Sequence, residues 1–215
     1  MPKISQAQRD ARQNQILDAA LACFSENGFH QTGMADIVKR SGLSHGAVYL
    51  YFQSKDDIIE ALAVDRHRQE AILSAVGTDQ AEDPIAALRK LVHAYARWLT
   101  DPDAERTRRV SVNGWSEALR NERVRAGVIE GIDAPRQMIT NLIERAQSRG
   151  LWNRDANPDA IARTLVALFQ GFLLQKVWNE PLDIDVIVGT VDQMVTALAT
   201  AKTPTKPRKQ RALER

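Results

Sequence analysis

An all-α fold of nine or ten helices is predicted for this chain, and three observations predict it. Helix punctuation recurs along its length: Asp83-Pro84 and Asn157-Pro158 each pair a capping side chain with a proline suited to a first turn, and Ser54-Lys55-Asp56-Asp57 has the form of a capping box. Between these marks apolar residues return every three or four positions, as on one face of a helix. No run alternates apolar and polar residues between hairpin signals, so no strand is expected.

The elements follow in order. The first helix carries the apolar stripe Ile16, Ala19, Ala20, Cys23 and Phe24, in which the lone cysteine reads as a small core residue. Thr32 is placed to cap a second helix from Gly33 to about Ser41, and Gly42 to turn the chain with positive φ. Ser44 caps a third, short helix whose Val48 and Phe52, four apart, share a buried stripe. Ile37, Val38 and Leu43 are spaced to pin these two helices together. The capping box at Ser54 opens a longer helix towards Val76, and Gly77 to Asp83 is a loop. Asp101-Pro102-Asp103 breaks the chain again. Pro135 falls inside the pattern from Glu122 to Arg149 and should kink or divide it, while Gly150 ends that helix.

The last two helices differ from the others. One carries Ile161, Leu165, Leu168, Phe169, Phe172, Leu173 and Val177, the other Ile184, Ile187, Val191, Met194, Val195 and Leu198. Apolar residues on more than one face require cover on more than one side. Either a second copy of the chain or an ordinary buried position in its own core supplies it.

Two short helices joined by a glycine turn, over Thr32 to Lys55, form a helix-turn-helix. Its second helix turns Gly46, Tyr49 and Leu50 outward, an uncharged face unsuited to a solvated helix but suited to a major groove. There close backbone approach, a phosphate hydrogen bond and apolar contact with thymine methyls all contribute.

Residues 9 to 60 resemble the DNA-binding region of the tetracycline-repressor (TetR) family: a first helix ending FSENGFHQTGMADIV, then SGLSHGAVYLYF, then SKDDIIEAL. Carried over position by position, the resemblance implies DNA contacts from Thr32, Ser44, His45, Gly46, Ala47, Tyr49, Tyr51 and Lys55, and a core role for Phe52. Tyr51 lies close to the buried side and suits packing as well as a phosphate bond. His45 stands where members often have Lys, so a fixed charge is replaced by one that titrates. The resemblance also implies pairing of two chains through the last two helices, with Leu165, Phe172, Val188, Val191, Val195 and Leu198 at the dimer interface.

Charge alone does not point to nucleic acid. The net charge is +2, yet Lys202 to Arg215 holds six basic residues and one acidic, and the first 60 residues hold six basic and seven acidic. The inference rests on placement, with Lys3, Arg9 and Arg12 able to reach backbone phosphates from the start of the first helix. The basic tail, with almost no apolar surface, is expected to be disordered and to add sequence-blind DNA affinity.

Residues 61 to 200 carry no phosphate loop, nucleophile elbow, HExxH or CxxC, so no catalytic residue, metal or cofactor is expected. His67 and His93 sit on polar faces. Trp98, Asn113, Trp115, Glu117, Phe169 and Phe172 lie within apolar patterns. They suit either an aromatic core with polar rims or an apolar ligand cavity with a few placed polar groups.

These observations and the resemblance lead to one expectation: a cytoplasmic homodimer, without a membrane span, that binds double-stranded operator DNA and responds to a small-molecule effector, as a repressor. Its parts are a reading head over residues 1–53, a helical ligand-binding and dimerisation domain over 54–200, and a tail over 201–215. The alternatives are an activator or dual regulator of the same family, and an enzyme or ligand carrier with a borrowed head.

Overall fold

Ser5 opens the first helix of the computed structural model, which describes residues 5–64 and 83–200. Its hydroxyl accepts from the Gln8 amide N–H while the Gln8 side chain accepts from the Ser5 N–H, a reciprocal cap. Helix α1 (Gln6–Gln31) is interrupted at Gly28, whose φ of 73° and ψ of 172° suit only glycine. The interruption folds Phe29 back onto Phe24, their rings edge-on at 4.8 Å. Cys23 is buried on the expected stripe, and burial pushes its thiol pKa up, which keeps it protonated.

Helix α2 (Met34–Ser41) starts one residue later than expected, because Thr32 does not cap it. The Thr32 hydroxyl donates to the carbonyls of Gly28 at 2.8 Å and Cys23 at 3.3 Å, closing the end of α1. Gly33 takes the cap position, its N–H donating to the Asp36 carboxylate. Gly42, at φ 68°, makes the turn, and Ser44 caps α3 (His45–Tyr51), accepting from the Ala47 N–H. Arg40 clamps Glu26 of α1 with two bonds of 2.6 and 2.7 Å, and Gln15 donates to the Ser41 carbonyl, so α1 and α2 are tied by polar contacts as well as by Ile16, Phe24 and Ile37.

Helix α4 (Lys55–Val64) opens on the expected capping box: Ser54 accepts from the Asp57 N–H and Asp57 from the Ser54 N–H. The continuation to Val76 and the loop before Asp83 lie outside the described residues, as do Lys3, His67 and the basic tail. Beyond them come α5 (Pro84–Thr100), a 3-10 turn (Pro102–Ala104), α6 (Glu105–Glu117), α7 (Glu122–Ser148), α8 (Pro158–Val177) and α9 (Ile184–Thr200). The described residues thus hold nine α-helices and no strand. Asp83, Asn121 and Asn157 supply the caps of α5, α7 and α8.

Pro135, expected to kink or divide the helix, does not divide α7, which runs unbroken for 27 residues. The local penalty is overridden by packing, since α7 lies against α4, α5, α6 and α8 at once. Helix α8 is, by length and composition, apolar enough to cross a membrane. In the structure Ile161, Ala162, Leu165, Val166 and Leu173 of α8 are buried in the protein's own core.

Among the described residues there are two hydrophobic cores. One gathers Leu88 and Leu91 of α5, Leu142 and Ile143 of α7, Leu165 of α8, and Val191 and Val195 of α9. The other gathers Ile16, Phe24, Ile37, Val48 and Phe52 with Ile58 and Ile59 of α4, and continues into Val110 of α6, Ala118 just after it and Val124 of α7. Helix α4 therefore belongs to the head and to the wall behind it.

The expected dimer residues fall within the same packing. Leu165, Val188, Val191 and Val195 are buried within this chain, and Phe172 and Leu198 pack against the same core. Helix α9 carries two apolar stripes, and periodicity picks out the greasier one, which its own chain already covers. The outer stripe has Val186 at 64% and Met194 at 38% exposure, and Trp178, just past the end of α8, is exposed as well.

Candidate DNA-reading helix and ligand cavity

Helix α3 is held from behind by Val48, which is fully buried, and by Phe52. Ser44, His45, Gly46 and Leu50 are left exposed, with Ala47 and Tyr49 half-buried. His45 and Tyr49, one helical turn apart, stack their rings at 4.3 Å and 21° on this outer face. Leu50 is 74% exposed, and a methyl group at Gly46 would meet nothing within 4 Å. The fold itself makes no demand for glycine at that position. Tyr51 is half-buried and packs against the head core.

Two residues expected beside them are used differently. Thr32 is buried, its hydroxyl spent on carbonyls of α1. Lys55 donates its ammonium to the carbonyls of Phe29 at 2.7 Å and Thr32 at 3.1 Å. Those carbonyls end α1, where a cation completes orphan acceptors and complements the helix dipole. The sequence offers no local signal for this, because the contact spans 26 positions.

Behind the head lies a cavity with about 1290 Å³ of empty space, counted out to its open mouth. Its walls come from Leu88, Val92 and Tyr95 of α5, Val110, Ser111 and Trp115 of α6, Ile132 and Ile139 of α7, Phe169 and Phe172 of α8, and Ile187 and Val191 of α9. Phe29 and Ile59 of the head close one end. Of the expected ligand residues, Trp115, Phe169 and Phe172 line this space. Asn113 does not, being exposed on the outer side of α6. Glu117 sits instead beside His30 of α1, 3.7 Å away, and Trp98 is a layer behind the wall, its ring 5.8 Å from that of Phe169. Sequence reasoning missed Tyr95 and Gln170 as lining residues. The signal for Gln170 was present: it interrupts the apolar run from Leu165 to Leu174.

Head and cavity wall are joined by a polar latch. Arg123 at the start of α7 donates to Asp57 at 2.6 Å and to Glu60 at 3.0 Å, and Asn121 donates to Asp56 at 3.1 Å. Burial pushes the Asp57 carboxyl pKa up, but hydrogen bonds from Arg123 and from the hydroxyl and N–H of Ser54 outweigh it and hold the group below the usual carboxylate range. Among the described residues no three potential metal-ligating side chains come together.

Known proteins share this arrangement. Residues 16–62 match the family described as bacterial regulatory proteins, tetR family, and residues 84–200 match BetI-type transcriptional repressor, C-terminal. The HTH-type transcriptional regulator BetI of Yersinia pestis (strain Pestoides F) is 33% identical over 93 residues, 42% of this chain and 46% of that protein. An uncharacterized HTH-type transcriptional regulator, YfiR of Bacillus subtilis (strain 168), is 43% identical over 61 residues, 28% of this chain and 30% of that one. The chain thus matches less than half the length of these curated relatives. Among solved structures, Salmonella enterica GusR superposes with a TM-score of 0.74 at 25% identity, covering 93% of this chain and 100% of that one. A SmeT–triclosan complex superposes at 0.70 and 27%, covering 90% and 93%.

Proposed function

Because this chain belongs to the tetR family of bacterial regulatory proteins, with residues 84–200 matching its BetI-type C-terminal group, we propose that it is a ligand-responsive repressor of transcription. The observation that carries this reading is the reach of the cavity: one wall is the C-terminal bundle, and one end is closed by Phe29 and Ile59 of the head. A molecule filling that space bears directly on the elements that aim α3. That a similar structure was solved as a complex with triclosan supports a small-molecule site in this fold.

Residues 1–53 act as the reading head and 54–200 as the ligand-binding and dimerisation unit, with α4 shared between them. Ser44, His45, Gly46, Ala47 and Tyr49 meet the major groove, with Leu50 against base methyls and Tyr51 at the groove's edge. Two copies pair through the outer stripe of α9 and the end of α8, around Trp178, Val186 and Met194, because these apolar side chains remain exposed on a single chain. A twofold pair reads a palindrome whose half-sites lie about 34–36 Å, or a multiple, apart. An effector that favours a different head spacing weakens operator binding, and operator weakens effector binding by the same factor.

The test begins with DNA enriched from a random-sequence pool by binding to the full chain. A palindromic consensus, retained in a gel shift and released by a metabolite that raises the melting temperature, is the expected result. Enrichment of no sequence would reject the reading.

A further inference from the structure

The cavity's polar groups carry an inference about the chemistry of what fills it, one that rests on the ligand-responsive reading above. Among the described residues its lining holds no Asp, Glu, Lys, Arg or His. The polar side chains present are neutral: Tyr95, Ser111, Trp115 and Gln170. Ser111 donates its hydroxyl to the Thr107 carbonyl at 2.8 Å, which leaves its oxygen lone pairs as acceptors. The Gln170 amide, on the middle of α8, makes no hydrogen bond with any described residue and sits among Leu168, Phe169 and Phe172. An amide with two donors and an acceptor, set in an apolar wall without a partner, loses hydration on enclosure unless the occupant replaces it.

Charge behind the wall adds a second constraint. Arg108 is 4% exposed and donates to two main-chain carbonyls, of Trp98 and Asp101, both at 2.8 Å, in place of a carboxylate. Its guanidinium lies 5.8 Å from the Trp98 ring, which in turn lies against Phe169. A buried positive charge therefore stands behind the aromatic layer and opposes a cation in front of it. Tyr95 and Phe169 are also closed on one another, ring centroids 4.4 Å apart and tilted by 51°, instead of splayed as a cage for an ammonium group.

We infer that the effector site takes an electrically neutral, largely apolar molecule that carries a hydrogen-bonding group able to both donate and accept, met by Gln170. A hydroxyl or amide suits this position. An ionic head group would meet no counter-charge among the described residues, and for a buried ion that penalty exceeds what one amide returns.

Calorimetric titration of the full chain with 1-decanol, decanoate and decyltrimethylammonium, below their micelle concentrations, tests this with one chain length and three charges. The alcohol should bind at least about tenfold more tightly than either ion, with the cation weakest. Gln170→Leu should weaken decanol binding several-fold while leaving the melting temperature of the free protein in place. Gln170→Glu, which keeps the shape and adds a negative charge, should shift the preference towards decyltrimethylammonium. Equal or tighter binding of either ion by the parent protein, or no saturable binding of decanol, overturns the inference. Operator release is read separately by gel shift: saturation by decanol without release would sink the ligand-responsive reading and leave the chemistry of the cavity standing.

Discussion

Lys55 is bonded to the main-chain carbonyl of Phe29, its Nζ donating across 2.7 Å, with Thr32 accepting a second bond at 3.1 Å. This contact ties the first turn of α4 to the end of α1 beyond the Gly28 break.

Lys55→Met keeps the aliphatic stem and deletes both charge-assisted bonds. Thermal unfolding should show a loss of about 1–3 kcal/mol. The salt dependence of operator binding should stay as it is, since no phosphate contact is lost. A log–log salt slope shallower by about 0.9, with unaltered melting, would instead assign Lys55 to a phosphate.

Asp57 makes the head's attachment acid-sensitive. Its folded-state carboxyl is depressed by Arg123 and Ser54 in spite of burial. A depressed value means that the stabilisation is fully present above the unfolded carboxylate pKa, about 3.9, and is lost as pH falls through the lower folded value. Melting temperature should therefore be insensitive to this group between about pH 8 and 5 and drop below about pH 4. Asp57→Asn should melt lower at neutral pH and show a smaller acid-induced drop; an acid limb identical to the parent's would show that other carboxylates carry it.

The helix punctuation was legible because caps are local: Ser44, Ser54, Asp83 and Asn157 bond to N–H groups within three residues of themselves. Thr32 was misread as the cap of α2, and the bonds of Lys55 went unseen, because their partners are carbonyls exposed only after Gly28 interrupts α1, a tertiary event with no local pattern. The head–core latch was illegible for the same reason, Arg123 lying 66 positions from Asp57. On α9 the periodicity found apolar residues on more than one face but could not say which of them the chain keeps for itself. The cavity was half legible: aromatic positions mark an apolar region, while which of them face the empty space depends on how α5, α6 and α8 are rotated.

The two stripes of α9 give opposite expectations for one substitution type. Val191→Arg places a guanidinium in the chain's own core and should unfold it, because an unpaired buried charge costs several kcal/mol. Met194→Arg, on the exposed stripe, should leave melting of the helices largely intact and disperse the pair of chains. Light scattering on Met194→Arg decides the matter: a dimer that persists with operator affinity unchanged would move the interface elsewhere.

Tyr49 offers the sharpest test of the reading helix, because it stands outside the head core and so can be changed without unfolding it. Its ring stacks on His45, which fixes both side chains on the outer face of α3. Tyr49→Ala removes the phenol and frees the imidazole to rotate, so specific operator binding should weaken by about 1–3 kcal/mol, the scale of losing one good contact. Tyr49→Phe keeps the stack and deletes only the hydroxyl. If the hydroxyl bonds a phosphate, Phe should lose affinity nearly uniformly across operator variants; if the ring contacts bases, Phe should retain the parent's sequence preference and Ala should relax it. Gel-shift titrations against the operator and single-base variants separate the two, and parent-like affinity in Tyr49→Ala would remove this residue from the interface.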